Sequence, residues 1–327
     1  METRRNRDLQ VLAGLVALGL VAPFLAYPVF LMKVLCFGLF ACAFNLLIGY
    51  VGLLSFGHAM FFGFAAYVAG YAVKVPGWPP ELALLAAVGV SVVLGFVTGL
   101  IAIRRQGIYF AMVTLALSQM VYFYCVQAKF TGGEDGIQAI PRRAMLGLPI
   151  ANDLVLYYVV LALFVIGFLI IWRTIHSPFG QVLKAIRENE PRAVSLGYAV
   201  DRYKLIAFVI SAALAGLAGA MKAIVFQLAS LTDVSWQMSG EVVLMTLVGG
   251  MGTVFGPLVG AAVIITMQNY LAGFGEYVLV IQGVIFVTTV LLFRRGIVGE
   301  IVAFAQRTRG DKTPAAGTAG AHGHAAE

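Results

Sequence analysis

Long apolar runs fill this chain from about residue 9 to residue 293, and short polar segments separate them. Helical spans are predicted at about 9–27, 29–48, 52–73, 82–103, 107–126, 154–172, 204–225 and 277–293. Each run suits a helix crossing roughly 30 Å of hydrocarbon. The stretch 241–271 differs, because its apolar first half has only about nine residues before Gly249 and Gly250. A discontinuous or partly penetrating helix fits it better than two full spans, and a tight helical turn near the inner surface is the plainer alternative. Backbone breaks are tolerated inside a membrane only where protein buries them or a polar cavity receives them. A second glycine-rich break begins at Gly49 in GYVGLLSFGHAMFFGFAAYVAG and parallels GGMGTVFGPLVGA from Gly249. The fold class expected is all-α, a polytopic membrane helical bundle of about 9–10 spans with at least one broken or re-entrant helix. Residues 1–307 form a single transmembrane domain in this reading. Residues 308–327, rich in Ala, Gly and Thr, form a disordered tail.

Charge bias orients the spans. Basic residues accumulate on the cytoplasmic side of membrane proteins. With Arg4, Arg5 and Arg7 inside, four crossings return Arg104 and Arg105 to the same side. Two more place the 127–153 loop outside and a charged island, 173–202, inside. Arg294, Arg295, Arg307 and Arg309 also belong inside, which requires 241–271 to leave the outer face and return to it. Both termini are therefore expected in the cytoplasm. METRRNRD reads as the basic flank of a retained first span, since no clean small-residue cleavage site follows.

Composition excludes a soluble domain: 61% of the residues are hydrophobic and 11% charged, against about 25% charged in soluble proteins. The net charge of +7 sits at the ends of apolar runs, where it orients helices, and implies no nucleic acid. Cys36, Cys42 and Cys125 lie within apolar runs and read as small packed hydrophobes. His176, His322 and His324 have no metal-ligand spacing.

Polar groups inside the spans need partners, so they face protein. Asn45, Ser55 and His58 accompany the early break and either line a solute path or a joint with a second subunit, or satisfy neighbouring backbone. Thr114 and Ser118 share a helix face at i, i+4, with Gln119 beside them, and either line a path or join helices. Lys33 and Lys222 are expected to snorkel near span ends, and Glu241 to lie at a mouth. No acid–base couple of the sort used by ion-coupled carriers is expected within the spans. Glu134 and Asp135, in TGGEDGIQ, form a plain turn or an external docking site, with calcium binding a remote third option.

The island contains five Lys or Arg and three acidic residues over 173–202. Ser177 is a candidate N-cap with Pro178 at the first helical position. Val182, Leu183 and Ile186 then share one face. Pro191 breaks or restarts that helix, and a second turn runs from Ala193 to Gly197. Two short amphipathic helices suit a docking element, whereas a mere connector needs neither this length nor this order.

The sequence resembles the permease subunits of branched-chain amino acid ABC transporters, particularly the longer of their two paired permeases. The resemblance rests on GYVGLLSFGHAMFFGFAAY at 49–67, GIYFAMVTLALSQM at 107–120 and TGGEDGI at 131–137. It also rests on SPFGQVLKAIRENEPRAVSLGYAVDRYKLIAFVISAALAGLAGA at 177–220 and SGEVVLMTLVGGMGTVFGPLVGA at 239–261. It implies a second homologous permease, two cytoplasmic ATP-binding subunits that carry ATP and Mg, an extracytoplasmic solute-binding protein and a bacterial inner membrane. It implies no cofactor in this chain, which has no Walker loop of the form GxxxxGK[ST] and no expected enzymatic activity. By the same resemblance Lys184, Ala185, Arg187, Glu188, Glu190, Ala193 and Gly197 fall in the ATPase-coupling region. Pro191 and Arg192 depart there from the importer pattern of Glu-Ala-Ala, three residues, then Gly. Urea or short amides are alternative solutes, and an ion-coupled carrier is a rival class.

Overall fold

The computed structural model describes residues 2–271 apart from Leu146, and part of the chain from 273 to 300. The predicted span at 277–293 lies largely outside the described residues. Arg294, Arg295, Arg307, Arg309 and the 308–327 tail lie wholly outside them.

Helices dominate. Helix α1 covers Glu2–Val21, α2 Pro28–Tyr50, α3 His58–Lys74, α4 Pro80–Ala102 and α5 Ile108–Gln127. Then come α6 (Asp153–His176), α7 (Pro178–Glu188), α8 (Glu190–Ser195), α9 (Val200–Phe226), α10 (Trp236–Gly249) and α11 (Gly256–Leu271). Proline opens α2, α4 and α7, where its missing N–H removes no helical bond and its fixed φ suits the first turn. Asn152 caps α6 by accepting from the Leu154 amide at 3.0 Å. Among the described residues five helices are long and apolar enough to cross a membrane: α2, α4, α5, α6 and α9.

Helices α2 and α9 form the buried centre, flanked by α3 and α4 on one side and by α6, α10 and α11 on the other. Small residues permit the close approach that drives helix packing in lipid. A Cβ on Gly219 of α9 would overlap the Phe62 carbonyl of α3, and one on Gly95 would press on Ala212. Phe40 and Phe62 stack at 4.5 Å in the core.

Both glycine-rich stretches interrupt the helical pattern. The predicted span at 52–73 is corrected, because α3 begins only at His58 and residues 51–57 run as turn and irregular chain. Gly52 has φ +83° there, a value that favours glycine. The 241–271 region is two packed helices, α10 and α11, joined by an elbow at 250–255. Their 14 and 16 residues give lengths of about 21 and 24 Å at 1.5 Å per residue, short of a full crossing. A Cβ on Gly260 would overlap the Met245 carbonyl, so the pair can approach this closely only with glycine at that crossing.

A two-residue ladder at the end opposite the island pairs β1 (Ile137–Gln138) with β2 (Leu228–Ala229), Ile137 facing Ala229. The segment after α9 joins the outer 127–153 loop here and then turns inward. Val234 is fully buried, and its neighbourhood would be filled by any side chain at Gly63 of α3.

Candidate functional site

The charged island folds as the α7–α8 pair. The Ser177 hydroxyl accepts from the Gly180 amide at 3.3 Å and opens α7, while Leu183 and Ile186 bury one face. Asn189 accepts from the Arg192 amide at 3.0 Å, and Pro191 occupies the first turn of α8. Proline therefore restarts the helix, and the second turn begins at Glu190, not at Ala193 as expected. Glu190 is held inward: its Oε1 accepts from Lys204 Nζ at 2.6 Å and from Gln106 Nε2 at 3.0 Å. Ala193 packs beneath with Ile186 and Val200, and Gly197, at φ +86°, turns the chain toward α9. Ala185, Arg187 and Glu188 are exposed. Lys184 lies over the Tyr50 ring, 5.7 Å from its centroid.

Three apolar residues of the island are exposed. Val194, Leu196 and Tyr198 are 57%, 70% and 41% exposed. They were not singled out in the sequence, although apolar residues alternating through a segment with no buried counterpart were a usable signal.

The island reaches both glycine breaks. Arg187 Nη1 donates to the Gly49 carbonyl at the end of α2. A Cβ on Gly52 would sit 3.2 Å from Arg187 Cγ, and one on Gly252 would sit 3.3 Å from Nη1. One turn deeper, Asn45 Oδ1 accepts from the Gly252 amide at 2.9 Å and its Nδ2 donates to the Thr253 carbonyl at 2.8 Å. The buried Asn45 amide thus pairs one donor and one acceptor of the elbow backbone. A cavity of about 400 Å³ opens between Gly49, Tyr50, Lys184, Arg187, Glu188 and Gly252.

The other in-span polar residues hold the late start of α3. A helix that begins inside protein needs partners for its first amides. Thr114 Oγ1 accepts from Phe56 N at 3.2 Å, Ser55 Oγ from Gly57 N at 3.2 Å, and Ser239 Oγ from Ala59 N at 3.0 Å. His58 Nε2 meets Ser211 Oγ at 2.8 Å, and that hydroxyl donates to the Ala43 carbonyl at 2.6 Å. With the Ser211 proton so used, Nε2 is the donor and the imidazole is the Nε2–H tautomer. Among the described residues, buried Ser118 Oγ has no hydrogen-bond partner, and Gln119 is half-buried beside it. Glu134 and Asp135 are exposed at the other end of the bundle.

Two charges depart from expectation. Lys222 does not snorkel; its Nζ lies 2.6 Å from Asp233 Oδ2, and both side chains are nearly buried. Asp233 also accepts from the Ser230 amide and hydroxyl at 3.3 and 3.1 Å. An acid–base couple therefore exists inside the bundle, contrary to the expectation of none. Its acid was overlooked because Asp233 falls beyond the predicted 204–225 span, in a segment that folds back inward.

A family model described as the branched-chain amino acid transport system permease component matches residues 28–290. The chain is 30% identical over 263 residues to the high-affinity branched-chain amino acid transport system permease protein LivM of Salmonella typhimurium. It is 30% identical over 268 residues to LivM of Escherichia coli. Each alignment covers 73% of this chain and 62% of the relative, so the chain spans less than two thirds of their length. The ribose import permease protein RbsC of Bacillus subtilis is 29% identical over 248 residues, covering 71% of this chain and 73% of that one. No solved structure matches. With its broken helices, the five candidate spans among its described residues and a family match covering most of its length, this chain belongs to the branched-chain amino acid transport permease family.

Proposed function

We propose that the chain is a permease subunit of an ATP-driven importer for branched-chain or related hydrophobic amino acids. It forms half of the translocation path beside a second homologous permease, in a bacterial inner membrane, with the α7–α8 end and both termini in the cytoplasm. Two ATP-binding subunits, which hold ATP and Mg, dock on α8 and the turn after it. A solute-binding protein docks at the opposite face, near Glu134 and Asp135. Selectivity for amino acids over ribose, urea or short amides follows the LivM relatives and is shared with that binding protein.

The observation that carries this reading is the Arg187–Gly49 contact. It links an exposed two-helix element to α2, and Asn45 of α2 holds the elbow between α10 and α11. A push on α8 from an ATPase reaches both broken segments through polar contacts, without needing the apolar core to deform. An ion-coupled carrier would leave Val194, Leu196 and Tyr198 uncovered.

Copurification with subsequent reconstitution tests the proposal. The expected complex contains an ATPase whose turnover rises when loaded binding protein is added, together with leucine uptake that requires ATP. An intact, transporting complex with no ATPase would overturn it.

A further inference from the structure

The turn between α4 and α5 joins a closely packed helix to a loosely held one. Helix α4 is set tightly on α9: a Cβ on Gly95 would press on Ala212, and one on Gly99 would press on Leu205 and Phe208. Helix α5 is the least buried of the five candidate spans among the described residues. Residues 103–107 make the turn, and Gly107 ends it at φ +60° and ψ −131°, a conformation that favours glycine. A Cβ at Gly107 would meet no atom within 4 Å, so backbone conformation and not crowding sets the residue there.

One side chain of this turn is tied to the island. Gln106, itself exposed, donates from Nε2 to Glu190 Oε1 of α8 at 3.0 Å. The same oxygen accepts from Lys204 Nζ of α9 at 2.6 Å. Lys204 is buried, and a buried ammonium is costly without a partner, so it fixes the Glu190 carboxylate in orientation. Glu190 thus offers Gln106 a placed acceptor. Further along, α5 meets the break before α3. Thr114, about 9 Å beyond the start of α5 at 1.5 Å per residue, accepts at Oγ1 from Phe56 N at 3.2 Å. A Cβ on Gly57 would overlap the Thr114 carbonyl. Arg187 and Glu190 therefore lead to different places. Arg187 reaches the end of α2 and, through Asn45, the elbow; Glu190 reaches α5 and the break before α3.

We infer that Gln106 is a positioning residue for transport, tying the start of α5 to α8 through Glu190, so that the island governs α5 separately from α2 and the elbow. When α8 shifts, the Glu190 carboxylate carries Gln106 with it, and α5 turns about Gly107 while α4 stays on α9. The inference rests on the importer reading, in which an ATPase docks on α8, and deepens it by giving the island a second output.

The test uses the complete complex in nanodiscs, with spin labels on Val97→Cys of α4 and Met112→Cys of α5, both exposed positions. With native Gln106 the distance between the labels is expected to differ between the nucleotide-free and ATP-bound complexes. Gln106→Ala removes the donor, and Gln106→Glu sets a like charge against Glu190. Either should shrink that difference and lower leucine uptake per ATP hydrolysed by about two- to tenfold, the weight of one net hydrogen bond. Gln106→Lys keeps a donor for Glu190 and should restore both readouts. Arg187→Glu should lower coupling while the movement of α5 persists. An unchanged distance difference in Gln106→Ala or Gln106→Glu would overturn the assignment. So would Gln106→Lys that matches Gln106→Ala, or loss of the α5 movement in Arg187→Glu. Failure of the Gln106 variants to assemble would make the contact structural and overturn it too. The parent reading is judged separately, by ATP-dependent leucine uptake of the wild-type complex with its binding protein. If that uptake is absent the parent reading fails and takes this inference with it; if it is present and the labels do not move, only the inference falls.

Discussion

Arg187 donates from its guanidinium to the main-chain carbonyl of Gly49, joining the exposed island to the last turn of the most buried N-terminal helix. Position 49 admits no side chain, because a Cβ there would overlap Asn45 Oδ1 and crowd the Gly252 amide. Island, α2 and elbow therefore meet at backbone distance, and a displacement of one is felt by the others.

Replacing Arg187 by Glu is expected to uncouple transport. Membrane insertion and ATPase copurification should survive, since the side chain is exposed and the α7 face is held by Leu183 and Ile186. A hydrogen bond from a charged donor contributes about 1.5–3 kcal/mol, so uptake per ATP hydrolysed should fall by at least about tenfold. Parallel measurement of leucine uptake and ATP hydrolysis in proteoliposomes checks this. Normal coupling in the variant would remove Arg187 from the transmission path.

Asn45→Ala should destabilise the elbow. It leaves the Gly252 amide and the Thr253 carbonyl without their partner, at about 1–3 kcal/mol for each buried unsatisfied group. Asn45→Asp keeps the acceptor but sets a carboxylate oxygen against the Thr253 carbonyl, and is expected to be at least as harmful. Thermal unfolding of the purified protein in detergent should show a lower midpoint for both variants than for wild type.

Leu196→Asp places a charge on an apolar side chain that is 70% exposed. Folding and insertion should be unaffected, whereas recovery of the ATPase in affinity purification should drop several-fold. Val194→Asp should act alike. Ala193→Asp is predicted to fail differently, by loss of folded protein, because Ala193 is only 3% exposed.

Lys222→Met would strand Asp233 as a buried, unpaired carboxylate. Breaking a buried pair from one side typically costs about 3–5 kcal/mol, while replacing both partners with apolar residues can be close to neutral. The single variant should therefore lower the yield of folded protein sharply. The double variant Lys222→Met, Asp233→Leu should recover much of it, as size-exclusion profiles would show.

The late start of α3 and the α10–α11 elbow mark the limit of local pattern. Glycine content betrayed both breaks in the sequence, because a run of small residues with positive φ at Gly52, Gly250 and Gly252 cannot continue as helix. Their partners were not legible. Asn45 and Gly252 lie about two hundred positions apart, and hydropathy carries no information about which helices become neighbours. Asp233 shows the same limit in another form. An aspartate just past an apolar run reads as solvated until the chain is seen to fold back beneath it.

What the sequence by itself determined was the environment and the local elements. Its apolar runs require helices in lipid, since backbone amides have no other donors and acceptors there. Its prolines, Ser177 and Asn189 set the starts of helices, and the island's composition kept that segment out of the membrane. Only the tertiary structure decided which polar groups meet. Packing brought Arg187 to Gly49, Asn45 to the elbow and Lys222 to Asp233. The physical reason is that each contact depends on the close approach of helices remote in sequence, which glycine and alanine at their crossings permit and no periodicity encodes.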